Sequence, residues 1–243
     1  MFASLRRKVL NRLRGNRDVL ERNVIEANNI GEIRKHFRWE KSPTHERKGI
    51  FEYAYLEDIN ERRVRDAEII AHAVCNTDGG TLLEIGTSTG GMTALMAQNA
   101  PSSHVYTINI PPEHILSGEG GINTTIALER ELIGREYREL GLGNVTQILE
   151  NTATWKPDIG QINLAFIDGS HDKQFVFNDT LKVLSSMPSG GLILWHDFNP
   201  ALRKKYHWID DVCRGIELMY KKGHLNGRIL VLKDSWVGIY QVP

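Results

Sequence analysis

Cysteine is scarce in this chain: Cys75 and Cys213 are the only two in 243 residues. They stand far apart, with no metal-type spacing, which excludes a disulfide framework and a cysteine-built zinc site. Reduced thiols in a cytoplasmic protein are the expectation. Excess charge is also missing. Thirty Lys and Arg balance 30 Asp and Glu, so no long-range field marks nucleic acid as a partner, and none is expected. Long hydrophobic runs are absent, none approaching the roughly 20 apolar residues of a membrane span. The first residues lack the apolar core of a secretory signal. Internal repeats and low-complexity tracts are absent too. What is present, 41% hydrophobic and 25% charged residues, is the composition of one large soluble domain with a modest appendage.

The appendage reads as a helical and aromatic arm over residues 1–63, ahead of a main domain over 64–243. Within residues 1–17, Arg6, Arg7, Lys8, Arg12, Arg14 and Arg17 have no acid among them, and Phe2, Leu5, Val9 and Leu13 recur at helical spacing. Such a helix suits weak contact with a membrane surface, packing on its own domain, or packing on a second copy in a homodimer. Phe37, Trp39, Phe51, Tyr53 and Tyr55 follow among polar residues, either to cap a pocket or to anchor the arm. A helix is expected over 57–76, with Ile59, Val64, Ala67, Ile70 and Ala71 on one stripe, ended by Gly79 and Gly80.

From residue 81 onward, apolar runs suited to buried strands (81–86, 104–110, 145–149, 162–168, 191–196) alternate with helical patterns near 91–99, 125–140, 172–186 and 208–222. That rhythm predicts right-handed βαβ units and a mostly parallel sheet with helices on both faces. Two closing runs separated by Asp234-Ser235 require a hairpin, so the last strand is expected to be antiparallel.

The most informative stretch is Thr-Leu-Leu-Glu-Ile-Gly-Thr-Ser-Thr-Gly-Gly at 81–91. It reads as a strand, a glycine-rich turn and a helix start, where backbone N–H groups can approach a ligand. The spacing is not the G-x-G-x-x-G of a dinucleotide site. Serine stands between Gly86 and Gly90, so a tight turn is expected to hold Ser88 at φ below zero.

This E-x-G-x-S-x-G pattern resembles the first motif of class I S-adenosylmethionine-dependent methyltransferases, in particular their O-methyltransferase branch. The resemblance implies a Rossmann-like seven-stranded sheet and a cofactor site built from Glu84, Gly86, Thr87, Ser88 and Gly90. It also implies ribose contact from Asn109, where the family usually has an acid, with Glu113 as a substitute. Adenine contact would come from Thr152 and Ala153, with Trp155 either stacking there or in the core.

Two further segments, Ile-Asp-Gly-Ser-His at 167–171 and Gly-Gly-Leu-Ile-Leu-Trp-His-Asp-Phe at 190–198, are apolar strands ending in acids. Adjacent strand ends would bring Asp168 and Asp197 together, a costly arrangement unless something positive lies between. The pair resembles bacterial small-molecule and sugar O-methyltransferases. The resemblance implies methyl transfer to a hydroxyl of a small molecule, sugar or glycan, with Asp168 and His171 catalytic and Asp168 also near the cofactor. Three arrangements are open: Mg²⁺ on Asp168, Asp197 and Asn199; another divalent metal using His196; or no metal, with a histidine acting alone. His171 is the expected general base, with helix capping as its structural alternative. Asp179 reads as a surface or supporting acid. The glycine-rich 111–124 stretch is long for a connection and is expected to be a lid. Competing readings are a catalytically silent cofactor-binding scaffold, an RNA or protein methyltransferase on the same fold, and a nicotinamide oxidoreductase. The last is disfavoured by the glycine spacing and by Asn109.

Overall fold

Eight strands form one sheet in the computed structural model, which describes residues 19–46, 57–77, 79–116 and 128–243. The basic stretch 1–17, the aromatics Phe51, Tyr53 and Tyr55, and most of the expected lid lie outside the described residues. The strands are β1 (Val24–Ala27), β2 (Thr81–Ile85), β3 (His104–Asn109), β4 (Val145–Leu149), β5 (Leu164–Ile167), β6 (Leu192–Trp195), β7 (Ile229–Leu232) and β8 (Gly238–Gln241). The helices are α1 (Val19–Asn23), α2 (Ile30–Phe37), α3 (Glu57–Cys75), α4 (Gly91–Asn99), α5 (Pro112–Leu116), α6 (Arg135–Glu139), α7 (Lys173–Ser185) and α8 (His207–Lys221).

Spatial order is β1-β7-β8-β6-β5-β2-β3-β4. Every pairing is parallel except those of β8, which runs antiparallel to both β6 and β7. The chain order thus reverses between β2 and β5, and at such a switch the carboxyl ends of the strands open a crevice. All seven strands from β1 to β7 run in one direction and end on that edge.

The apolar runs are buried on both sides because alternate residues face opposite helix layers. Leu83, Ile85, Ala165, Ile167, Ile193 and Trp195 share a core cluster with Val176 and Val183 of α7 and Val212 and Ile216 of α8. Leu82, Leu164, Phe166, Leu192 and Leu194 share another with Ile69, Ile70 and Val74 of α3 and Met96 of α4.

Three sequence expectations need correction. The sheet has eight strands, not seven, because Val24–Ala27, inside the segment read as an arm, pairs parallel with β7. The helical pattern over 125–140 yields only α6 among its described residues, since Gly134 sits at φ +72°, which no right-handed helix can pass through. Val64, placed on the buried stripe of α3, is exposed. In the arm, Phe37 stacks on Trp39 with ring centroids 4.9 Å apart, and Trp39 is buried, so this pair anchors rather than caps.

Candidate functional site

The turn after β2 is shaped by close backbone approach. Gly86 has φ +107°, and a Cβ there would lie 2.0 Å from the carbonyl oxygen of Asp168 at the end of β5. Only glycine lets the ends of β2 and β5 close to this distance. Gly90, at φ +87°, meets Gly134 in the same way, with 2.8 Å from an added Cβ to the Gly134 Cα. Ser88 sits at φ +50°, contrary to expectation. Its N–H donates to Asn109 Oδ1 at 3.1 Å, and its carbonyl accepts from the Gly134 N–H at 2.9 Å. These two bonds offset the roughly 1–2 kcal/mol that a non-glycine residue pays in the left-handed region.

Asn109 is therefore a brace for the turn: Oδ1 receives Ser88, and Nδ2 donates to the Ile110 carbonyl at 3.0 Å. Glu113, the alternative ribose ligand, pairs with Arg130 at 2.5 Å in an exposed position. Thr87 Oγ1 bonds Thr107 Oγ1 at 2.7 Å and accepts from Gln147 Nε2 at 2.9 Å, so Thr87 too faces inward.

Glu84 lies beneath the turn and is fully buried. Thr93 and Thr107 hydroxyls both donate to its Oε2, while Oε1 has no hydrogen-bond partner. Burial pushes its pKa up to about 8 despite the two hydroxyls, and the nearby Asp168 carboxylate adds to the rise. Folded Glu84 thus keeps a proton that the unfolded chain releases near the ordinary glutamate value of 4.5. Stability from this group is complete below that value and is lost as pH climbs through about 8. Glu84→Gln should flatten that decline, which a single such group sets at about 1 kcal/mol per pH unit. Urea unfolding of both proteins across this range checks it; parallel pH dependences would contradict the assignment.

Beyond β4, the turn Asn151–Trp155 is held by Lys182 of α7. Its ammonium donates to the carbonyls of Thr152, Ala153 and Trp155, the last at 2.6 Å. Asn178 also donates to the Thr152 carbonyl, at 3.0 Å. Trp155 is buried in the core. Asp179, read as a surface or supporting acid, is buried, which leaves the supporting role; burial pushes its pKa up to about 6 against the lowering pull of Thr152, Asn178 and Lys182.

The acids at the ends of β5 and β6 do come together, with two histidines between and beside them. His171 Nε2 lies 2.9 Å from Asp197 Oδ2. His196 Nδ1 lies 2.9 Å from Asp168 Oδ1 and 3.6 Å from Asp197 Oδ2. One ligating atom from each of Asp168, His171 and Asp197 falls within 4.8 Å of the others. Asp168 and His171 are about a third exposed and face the crevice, while His196 and Asp197 sit behind them. Burial works against charge on His196, but the Asp168 and Asp197 carboxylates outweigh it and hold the imidazole well above its ordinary value. The same balance raises His171, through its contact with Asp197. For Asp197, burial favours the neutral acid, yet both histidines drive its pKa far below the usual carboxylate range. Asp197 adopts φ +52°, a strained conformation held in place by its neighbours.

The residues after Asp197 are taken up by the fold. Phe198 is fully buried, its N–H bonded to the Trp236 carbonyl at 2.8 Å and its ring against Gly238, so it pins the end of β6 to the terminal hairpin. Asn199 turns to that hairpin as well, donating to the Ser235 carbonyl at 3.2 Å and accepting from the Ala201 N–H at 3.1 Å, away from the acids. His171 does not cap α7; Asp172 does, accepting from the Gln174 N–H at 2.7 Å.

Two participants escaped the sequence reading. Lys182 lies in the last turn of α7 without a motif. Asp66, on α3, is buried with Oδ2 3.3 Å from His196 Nε2. No local pattern distinguishes it from the surface acids of the same helix.

A parallel sheet closed by an antiparallel strand, with a glycine turn at its switch point and an Asp/His cluster opposite, defines the Rossmann-like class I methyltransferase fold. Residues 83–198 match the model of a family described as a methyltransferase domain. Among solved structures it is similar to the O-methyltransferase NovP, at TM-score 0.57 and 15% identity, covering 74% of this chain and 80% of that one. A putative O-methyltransferase from Klebsiella pneumoniae gives TM-score 0.51 at 20% identity, with 79% and 89% covered. TomG from Streptomyces achromogenes, an O-methyltransferase solved with the cofactor, gives 0.51 at 14% identity, with 74% and 81% covered. These likenesses establish the fold. No curated protein matches the chain by sequence. Among the described residues, no helix is long and apolar enough to cross a membrane.

Proposed function

We propose that the protein transfers the methyl group of S-adenosylmethionine to a hydroxyl oxygen of a small molecule, sugar or glycan. The observation that carries this reading is the Asp168–His196–Asp197–His171 cluster on the same strand edge as the Gly86 turn. The acceptor oxygen attacks the methyl carbon in line, the carbon–sulfur bond breaks, and its electrons neutralise the sulfonium to give S-adenosylhomocysteine. His171 takes the hydroxyl proton, oriented by Asp197 at 2.9 Å. The balance of charge on the whole chain favours a small acceptor over nucleic acid, and the two unbonded cysteines suit a cytoplasmic setting.

The cluster also suits a divalent cation. Asp197 Oδ1 is buried without a hydrogen-bond partner among the described residues, and the neighbouring ligating atoms converge within 4.8 Å. Asp168 and Asp197 would supply its carboxylate ligands. When bound, such an ion lowers the pKa of the acceptor hydroxyl and fixes its approach. The Asp168 backbone carbonyl also closes on Gly86.

Thermal unfolding with candidate cofactors tests the reading directly. S-adenosylmethionine and S-adenosylhomocysteine should each stabilise the protein by about 3 kcal/mol at a hundredfold excess over Kd, a rise of several degrees in Tm. NAD and NADP should give none. Stabilisation by a nicotinamide cofactor alone would replace this function with an oxidoreductase.

A further inference from the structure

The ends of β2, β3 and β4 are tied into one floor. The Ser88 N–H donates to Asn109 Oδ1 at 3.1 Å, and the Asn109 carbonyl accepts from the Glu150 N–H at 3.0 Å. The turn Asn151–Trp155 therefore leaves β4 next to the residue that braces the glycine turn. It is closed by its own bonds. The Ala153 N–H donates to Asn151 Oδ1 at 2.9 Å, and the Thr154 and Trp155 N–H groups donate to the Asn151 carbonyl at 3.0 and 2.9 Å. Of the four amides from Thr152 to Trp155, that of Thr152 alone has no partner among the described residues.

Helix α7 then fixes the turn from behind. An ammonium has three protons, and Lys182 directs them at three main-chain carbonyls: those of Thr152, Ala153 and Trp155, the last two at 3.2 and 2.6 Å. Asn178 gives the Thr152 carbonyl a second donor at 3.0 Å, and the Thr152 hydroxyl bonds the buried carboxyl of Asp179. Residues 178, 179 and 182 share one helix face, and all three converge on Thr152. The helix is itself locked to β6, where Trp195 Nε1 donates to Thr180 Oγ1 at 2.8 Å. The turn needs none of this to close, so what α7 adds is a fixed position for Thr152.

We infer that Lys182 is a positioning residue: it presets the Thr152 N–H as a hydrogen-bond donor to the base of the nucleoside cofactor, and so selects a base with a bare ring-nitrogen acceptor. The inference rests on the S-adenosylmethionine reading above and adds to it how the base is chosen. N1 of adenine is such an acceptor. N1 of hypoxanthine carries a proton, which would leave the amide unpaired against another donor, and a site built around one hydrogen bond discriminates strongly against a ligand that cannot make it.

The test is calorimetry on the full chain with S-adenosylhomocysteine and its deaminated analogue, S-inosylhomocysteine. Wild type should bind the adenine form at least about tenfold more tightly. Lys182→Met, which removes the ammonium and keeps an apolar stem, should weaken S-adenosylhomocysteine and bring the ratio of the two affinities close to one. Lys182→Arg, which keeps a cation with donors for the carbonyls, should restore most of the preference. Should the Met variant fail to fold, Asn178→Ala takes its place. It leaves the ammonium and removes only the second donor to the Thr152 carbonyl, so the ratio should fall by about threefold. A merely structural lysine would lower both affinities together and leave their ratio unchanged, and that result overturns the inference. Equal binding of the two ligands by wild type overturns it as well, while leaving the methyltransferase reading in place. Binding of neither ligand removes both.

Discussion

Replacing His171 by alanine should lower kcat by about 10²–10⁴-fold, the usual contribution of a positioned general base, while the Kd for S-adenosylmethionine stays close to wild type. His171 combines exposure to the crevice with a fixed partner, Asp197, 2.9 Å from Nε2. That contact leaves the other ring nitrogen for a substrate proton. The sign of the pH dependence follows from the same contact. Burial opposes charge on the ring, but Asp197 and Asp168 more than compensate and raise its pKa. Because the base acts when unprotonated, wild-type kcat should climb with pH through a value above that of ordinary imidazole. The alanine variant should lose this limb as well as the rate. Single-turnover assays across pH, with cofactor affinity from calorimetry, check both. A variant that keeps its rate, or one that loses cofactor affinity in proportion to rate, removes His171 from proton transfer.

Gly86→Ala carries the second large effect, this time on the fold and the cofactor site together. The added methyl would sit 2.0 Å from the Asp168 carbonyl oxygen, and the residue would have to hold φ +107°. Neither strand can yield, since β2 and β5 pair over four residues in the centre of the sheet. Overpacking and backbone strain together should cost about 2–5 kcal/mol. Gly79→Ala is the internal comparison. It has φ +101° but nothing within 4 Å of the added Cβ, so only the conformational part, about 1–3 kcal/mol, should appear. Denaturant unfolding of both variants reads the difference. If Gly86→Ala is no less stable than Gly79→Ala, the close approach of the strand ends is not what this glycine serves.

Much of this architecture could be read from the chain because the apolar runs are continuous and well separated. Residues 162–168 and 191–196 contain little but strand-forming residues before their acids, so their pairing followed from βαβ logic alone. The acids and His171 were legible for the same reason: each stands one to four residues past a buried strand. Asp66 was not, because its role depends on α3 meeting the end of β6, 130 residues away, and the terminal hairpin, 169 residues away in sequence. Ser88 was misjudged because the bonds that support its positive φ come from Asn109 and Gly134, neither visible in the turn itself. Asn109 appeared as a weakened ribose ligand; in the folded chain its amide oxygen receives the Ser88 N–H, which only the tertiary structure reveals. The first strand was missed because four residues, Val-Ile-Glu-Ala, carry too short a pattern to stand out.

That short strand has a consequence for how the sheet meets its surroundings. β7 is buried along its whole length, and without a neighbour its outer row of amides and carbonyls would invite pairing with another chain. Val24–Ala27 occupies that row, and the Lys233 N–H extends the ladder to the Ala27 carbonyl at 2.8 Å. The new rim is only four residues long and presents the exposed carboxylate of Glu26. Brevity and charge are what keep sheet margins from recruiting strangers, so this modest N-terminal addition acts as a selvedge, finishing the fabric where the catalytic fold alone would have left a loose thread.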